Sequence, residues 1–231
     1  MAMVMRIRSG CDAQLALWRM DEEVSHFSYL GAVYDDVLGT YAHDKRRLEV
    51  LCTYATLFEM TGDASLRITH LSSGRPVCTS SATGRQLYIS ITHTVGWVAI
   101  ILSESHAVAV DIEYPSDRVR RIASRFLRSD EPFALLPQLQ VCWCAKEVAY
   151  KYFSALHLGL DEMRVSPFTL SADALSSSVE GLSDTADTRP EKEGIQVLCS
   201  GPLQVENLRT RQLLGAHYII SSAFVLVYTA C

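Results

Sequence analysis

Val110-Asp111-Ile112-Glu113 closes the apolar run 106–114, and its reading organises the rest of the chain. If the run is a strand, side chains alternate, so Asp111 and Glu113 leave one face while Val110 and Ile112 leave the other. The two carboxylates then sit roughly 6–7 Å apart along the strand. Unpaired, they repel each other, and a hard divalent cation with oxygen ligands relieves that repulsion. Taken alone, the tetrapeptide also reads as a solvated acidic pair at a strand end, the commoner case, so the flanking sequence has to arbitrate.

Downstream, residues 116–128 predict an amphipathic helix with Val119, Ile122, Ala123 and Phe126 on its apolar side. Arg118, Arg121, Arg125 and Arg128 share the other side, which is either a solvated face or a surface for an acidic partner. Residues 139–156 predict a second helix with a core stripe of Val141, Ala145, Val148, Tyr152 and Leu156. Glu147 and Lys151 lie off that stripe, one turn apart, with Trp143 a turn earlier. A Glu-Lys pair at this spacing also stabilises an exposed helix by about 0.2–0.5 kcal/mol. Beyond Leu160, residues 164–170 predict a strand, 171–194 a long polar loop, and 195–199, 216–221 and 223–229 further strands.

Upstream, residues 14–20 predict a strand, and Asp21-Glu22-Glu23 suits the first turn of a helix. Residues 43–60 carry Leu48, Leu51, Cys52, Ala55 and Phe58 at helical spacing and end before Gly62. Lys45-Arg46-Arg47 stands at the start of this helix, where cations are mildly unfavourable and a bound anion is favoured; a solvated charge run is the commoner reading. Residues 72–76 read as a turn, 77–80, 86–92 and 97–102 as strands, and Thr94-Val95-Gly96 as a tight connection. Helix-plus-strands therefore runs twice, which suggests an α+β protein of two similar halves.

A formal charge of −5 provides no global basic field, so nucleic acid and acidic membranes are not expected partners. The seven cysteines are odd in number and lack C-x-x-C spacing, which predicts reduced thiols in a cytoplasmic protein. Neither a signal peptide nor a membrane-spanning run is expected.

Read together, Gly74-Arg75-Pro76, Ile91-Thr92-His93-Thr94, Val110-Asp111-Ile112-Glu113 and Trp143-Cys144-Ala145-Lys146-Glu147-Val148-Ala149-Tyr150-Lys151 form an ordered set. The set resembles the 4'-phosphopantetheinyl transferase superfamily, in its longer class of two fused, similar halves. Its pattern is G-K/R-P, S-H-S/T, G-x-D-I-E and W-x-x-K-E-x-x-x-K. Here Thr92 replaces the serine and keeps a hydroxyl, Ala109 replaces the glycine, and Tyr54 stands where the family often has arginine.

The resemblance implies two similar α/β subdomains packed as a pseudodimer: residues 1–104 binding coenzyme A, and 105–231 metal-binding and catalytic, with coenzyme A held in the cleft between them. It implies Mg²⁺ on Asp111, Glu113 and Glu147, and Glu147 as general base. Lys151 would contact the pyrophosphate, Thr92 and His93 the 3'-phosphate, and Arg75 the nucleotide end, with Lys45 and Arg46 as further coenzyme A contacts. Arg118, Arg121 and Arg125 would steer an acidic acyl or peptidyl carrier protein. The expected reaction moves phosphopantetheine from coenzyme A to a carrier serine and releases adenosine 3',5'-bisphosphate, with the enzyme a monomer. Two other readings stand beside it: another Mg²⁺-dependent enzyme of nucleotide phosphoryl transfer, and a catalytically silent module that binds coenzyme A or a carrier.

Overall fold

The computed structural model describes residues 3–8, 11–171 and 195–230. Beyond Ser171, the loop expected over 171–194 therefore lies outside the described residues. The chain is of the mixed α+β class and divides into two compact units, Met1–Val108 and Ala109–Cys231, each built on one antiparallel sheet.

In the first unit, strands β1 (Met3–Arg8) and β2 (Gln14–Arg19) precede helices α1 (Ala32–Thr40) and α2 (Asp44–Thr61). Strands β3 (Leu66–His70), β4 (Pro76–Ser80), β5 (Gln86–Thr94) and β6 (Trp97–Ser103) follow, and the sheet order is β1-β2-β6-β5-β4-β3. Helix α2 stops where Gly62 takes up φ 70°, a left-handed conformation that glycine adopts without steric cost, and its N–H bonds the Phe58 carbonyl at 2.7 Å. A two-residue connection, Val95-Gly96 with Gly96 at φ 77°, joins β5 to β6 and fixes the Thr94–Trp97 register. The helices cover one sheet face over a core that includes Trp18, Phe27, Leu51, Ala55, Ile89 and Ile100. Every residue of β6 is buried, so it carries no polar alternation and reads as a continuous apolar run.

In the second unit, β7 (Val110–Glu113) is followed by α3 (Arg118–Phe126) and α4 (Leu136–Tyr152). Strands β8 (Met163–Val165), β9 (Val197–Asn207), β10 (Gln212–Ser221) and β11 (Val225–Thr229) then form a sheet in the order β7-β11-β10-β9-β8. Setting β1 aside, this is the order of the first sheet: the strand before the helix pair bonds the last strand, and the other three meander outward from it. Helices α3 and α4 cover a core that includes Phe126, Val141, Ala145, Val148, Val205 and Val227.

Several elements depart from the sequence expectation. Helix α3 is shorter than 116–128, because Ser116 Oγ accepts the Arg118 N–H at 3.1 Å in the entering turn and Arg128 leaves the helix to bond Asp130 at 2.8 Å. Arg128 is thus not part of the helical arginine face. Helix α4 begins at Leu136, where the Gln138 side chain accepts the Leu135 N–H at 3.2 Å, and ends at Tyr152 before a 3₁₀ turn. The strand expected over 164–170 is confined to Met163–Val165, while β9 runs on through Gly201-Pro202, a pair that reads as a breaker in sequence. Strands β1 and β3 were not expected; they lie at the two sheet edges, and few of their side chains are buried.

The cysteine expectation also needs correction. Cys52, Cys78, Cys142, Cys144 and Cys199 are free thiols, but Cys11 is disulfide-bonded. Spacing reports metal and redox motifs, whereas a disulfide at an isolated cysteine leaves no spacing pattern to read. Among the described residues, no helix is long and apolar enough to cross a membrane.

Candidate functional site

Strand β7 pairs with β11 and α4 packs against both, so one helix face meets one strand end. Asp111, only 5% exposed, accepts a hydrogen bond on Oδ1 from Lys151 Nζ at 2.7 Å, and the same ammonium donates to the Val110 carbonyl at 2.9 Å. Two residues along, Glu113 Oε1 accepts from Trp143 Nε1 at 3.0 Å. Both carboxylates therefore face α4, as strand alternation requires, while Val110 and Ile112 are buried on the opposite face. Trp143 is held in turn by an edge contact with Phe126 of α3, ring centroids 5.3 Å apart.

Glu147 sits between Trp143 and Lys151 along α4 and is half-buried. Burial pushes its carboxyl above the usual carboxylate range, the negative charge of Asp111 adds to that, Lys151 opposes it and Glu113 reinforces it. Glu113 is raised for the same first reason, burial, against which the Trp143 hydrogen bond and the charges of Lys151 and Arg118 act, while Asp111 reinforces it. Three carboxylates thus share a low-dielectric setting with one lysine. Beneath them the fully buried Cys144 thiol is pushed up by burial and by the neighbouring acids, so it is an inert apolar filler and not a nucleophile. The carboxylate oxygens are more widely spread than those of a closed metal cage. Among the described residues, the group whose ligand atoms all fall within 4.8 Å is Cys11, Asp12 and His106. That group is a capped turn: Asp12 accepts from Ser103 Oγ at 2.7 Å and from the Glu104 and Ser105 amides at 2.6 and 3.0 Å, and Cys11 is disulfide-bonded.

In the first unit, the structure brings together two of the expected coenzyme A contacts. Arg46, at the start of α2, lies with Nη1 3.3 Å from His93 Nε2 on β5. The same Nη1 donates to Glu49 Oε2 at 2.9 Å, and His93 Nε2 is 3.6 Å from that oxygen. The Arg46 guanidinium also lies over the Tyr41 ring at 5.6 Å. Thr92 is buried on the alternate side of β5 from His93. Arg75 immediately precedes β4 with its guanidinium over the Tyr88 ring at 5.7 Å, and Lys45 is exposed. Tyr54, standing where the resemblance favours arginine, spends its hydroxyl as acceptor for the Ile68 N–H at 3.2 Å.

Three sets of contacts were not legible in sequence. Glu49 was legible only as a residue three positions after Arg46, a spacing that places the two on one helical face. Trp143 has no partner that local spacing could name, because its bond to Glu113 crosses 30 residues. Lys146, next to Glu147, is fully buried with Glu131, and its Nζ donates to Glu131 Oε2 at 2.8 Å, the Phe126 carbonyl at 2.6 Å and the Leu160 carbonyl at 3.1 Å. Glu131 also accepts the Arg128 and Val165 amides at 2.9 and 2.7 Å. This pair ties the end of α3, the middle of α4 and β8 into one frame. Arg118, Arg121 and Arg125 are exposed on α3, and the charge of Arg118 is felt at Glu113.

Among known proteins, no family model matches the chain and no curated protein matches it.

Proposed function

We propose that the protein is a 4'-phosphopantetheinyl transferase that loads acyl or peptidyl carrier proteins. The observation that carries the reading is the convergence of Asp111, Glu113, Glu147 and Lys151 from one strand and one helix, with Glu113 and Glu147 both raised by burial and by their acidic neighbours. Perturbed carboxyl groups gathered in one place by burial and by specific charged neighbours mark a candidate functional site. The repeated strand order of the two sheets supports the class of two similar halves.

The donor set fits a hard divalent cation, since three carboxylates outnumber one lysine and supply only oxygen ligands. Mg²⁺ would be held by Asp111, Glu113 and Glu147, and when bound it supplies neutralisation of pyrophosphate charge. The chain's own residues do the rest. Trp143 fixes the Glu113 carboxylate through its 3.0 Å bond, so that acid is oriented before any ligand arrives. Lys151 puts one ammonium at the edge of the cluster for the pyrophosphate of coenzyme A. Glu147, half-buried on α4 beside the other two acids, accepts the serine proton directly or through a water. The carrier serine oxygen then bonds to the phosphorus that bears pantetheine. The bridging P–O bond breaks, and adenosine 3',5'-bisphosphate leaves with the bonding electron pair. Residues of the first unit, Arg46, Thr92, His93 and Arg75 with Lys45, serve the nucleotide end, and Arg118, Arg121 and Arg125 receive the acidic carrier.

The test combines protein, apo-carrier, coenzyme A and Mg²⁺ and reads the carrier by mass spectrometry. One added phosphopantetheine per carrier is expected, dependent on Mg²⁺. Replacing Glu147→Gln should leave coenzyme A binding intact and slow transfer by roughly 10²–10⁴-fold, the usual contribution of a general base. Cleavage of coenzyme A without any carrier would identify a hydrolase of the nucleotide instead, and binding without either reaction would identify a silent module.

A further inference from the structure

Glu49 is a buried carboxylate, with its side chain 9% exposed, whereas the two basic side chains beside it are far more open, Arg46 at 49% and His93 at 42%. An acid at the centre of a basic cluster is an odd neighbour for an anion site unless it serves the basic groups themselves. The geometry has that character. A single oxygen, Glu49 Oε2, takes Arg46 Nη1 at 2.9 Å and lies 3.6 Å from His93 Nε2, while Nη1 and Nε2 approach to 3.3 Å. Arginine has no acceptor, so the 3.3 Å contact is a hydrogen bond only when His93 Nε2 is unprotonated; when Nε2 carries a proton, the carboxylate is the group within reach of it. In both states Glu49 anchors Arg46, and when Nε2 is protonated it lies within reach of the imidazolium as well. The guanidinium meets Glu49 and His93 through the same Nη1, so its other N–H groups are the part offered to a ligand.

We propose that Glu49 is a positioning residue that holds Arg46 and His93 together as one site for the terminal phosphate monoester of the nucleotide, and so gives the protein its preference for a 3'-phosphate. The inference rests on the transferase reading above and adds a residue to it. Pre-ordering is what such a buried partner contributes, because a long side chain fixed in advance has less freedom left to lose at binding. Against this stands the repulsion between carboxylate and phosphate, so the sign must be read from a pair of variants. Glu49→Gln retains an acceptor for Arg46 without the charge, and Glu49→Leu retains neither.

The experiment measures the affinities of wild type, Glu49→Gln and Glu49→Leu for coenzyme A and for 3'-dephospho-coenzyme A by calorimetry. Dephospho-coenzyme A binding reports that each variant is folded and competent. The expected result is a wild-type preference for coenzyme A that falls about tenfold in Glu49→Leu and stays within about threefold in Glu49→Gln. A preference that is unchanged in Glu49→Leu, or raised in both variants, overturns the assignment while leaving the transferase reading in place. Wild-type protein that binds neither compound overturns the transferase reading, and the role of Glu49 with it.

Discussion

Glu113 and Glu147 are each forced toward the neutral form, first by burial and then by neighbouring acids, and this sets a direction for stability against pH. A carboxyl whose folded value lies above its unfolded value binds its proton more tightly in the native state. Stability is therefore highest below the unfolded carboxylate value and is lost as pH rises through the raised native one. Glu113→Gln and Glu147→Gln should accordingly stabilise the metal-free protein at pH 7 by roughly 0.5–2 kcal/mol, with the gain fading toward pH 4, as read by urea unfolding across that range. Under the proposed reading, Mg²⁺ should raise the Tm of wild type and raise it less in each variant, because each lacks one of the three carboxylates assigned to the ion. Trp143→Phe keeps the contact with Phe126 but deletes the 3.0 Å bond to Glu113. Its Mg²⁺-induced stabilisation should need about 10–100-fold more metal, the usual consequence of removing a group that orients a ligand.

Helix α4 carries two kinds of charge at adjacent positions, and only their depth separates them. Glu147 lies at the site, whereas Lys146 is wholly enclosed and neutralised by Glu131. Taking both charges out of water is compensated by the three bonds to Lys146 and the two backbone amides on Glu131. Lys146→Met should cost roughly 3–5 kcal/mol in urea unfolding, since it leaves Glu131 as a lone buried charge. Adding Glu131→Gln to that variant should recover part of the loss, because it removes the lone buried charge while its one amide oxygen still accepts one of the two amides, from Arg128 or Val165, that now bond separate carboxylate oxygens. A double variant no more stable than Lys146→Met would show that packing of the lysine stem, and not its charge, is what the frame requires.

For the molecule as a whole, a net charge of −5 would repel the acidic carrier proposed above, so in that reading the exposed Arg118, Arg121 and Arg125 act locally. Carrier association should be fastest at low ionic strength and fall steeply with added salt. Reversing all three charges should slow association about tenfold at low salt and flatten its salt dependence, measured by stopped-flow mixing with apo-carrier. Unchanged association rates would put the carrier on another surface. Arg118→Glu alone should also tighten Mg²⁺ binding, because it replaces a positive charge acting on Glu113 with a negative one.

The amphipathic periods of α2, α3 and α4, the turn at Val95-Gly96 and the apolar run of β6 were all legible in the chain, because each is a local pattern with its own physical cause. The same holds for the facing of Asp111 and Glu113, which strand alternation alone requires. Elements buried on few residues, β1 and β3, and a strand that runs through Gly201-Pro202 gave no comparable pattern. What tertiary structure decided is which distant groups meet: Trp143 on Glu113, Lys151 on Asp111, Lys146 on Glu131 and Arg46 with Glu49 on His93. Sequence order determines which residues share a face of one element, but only chain folding sets the separations across which charges and hydrogen bonds act, and those separations make acids beside a lysine into a site.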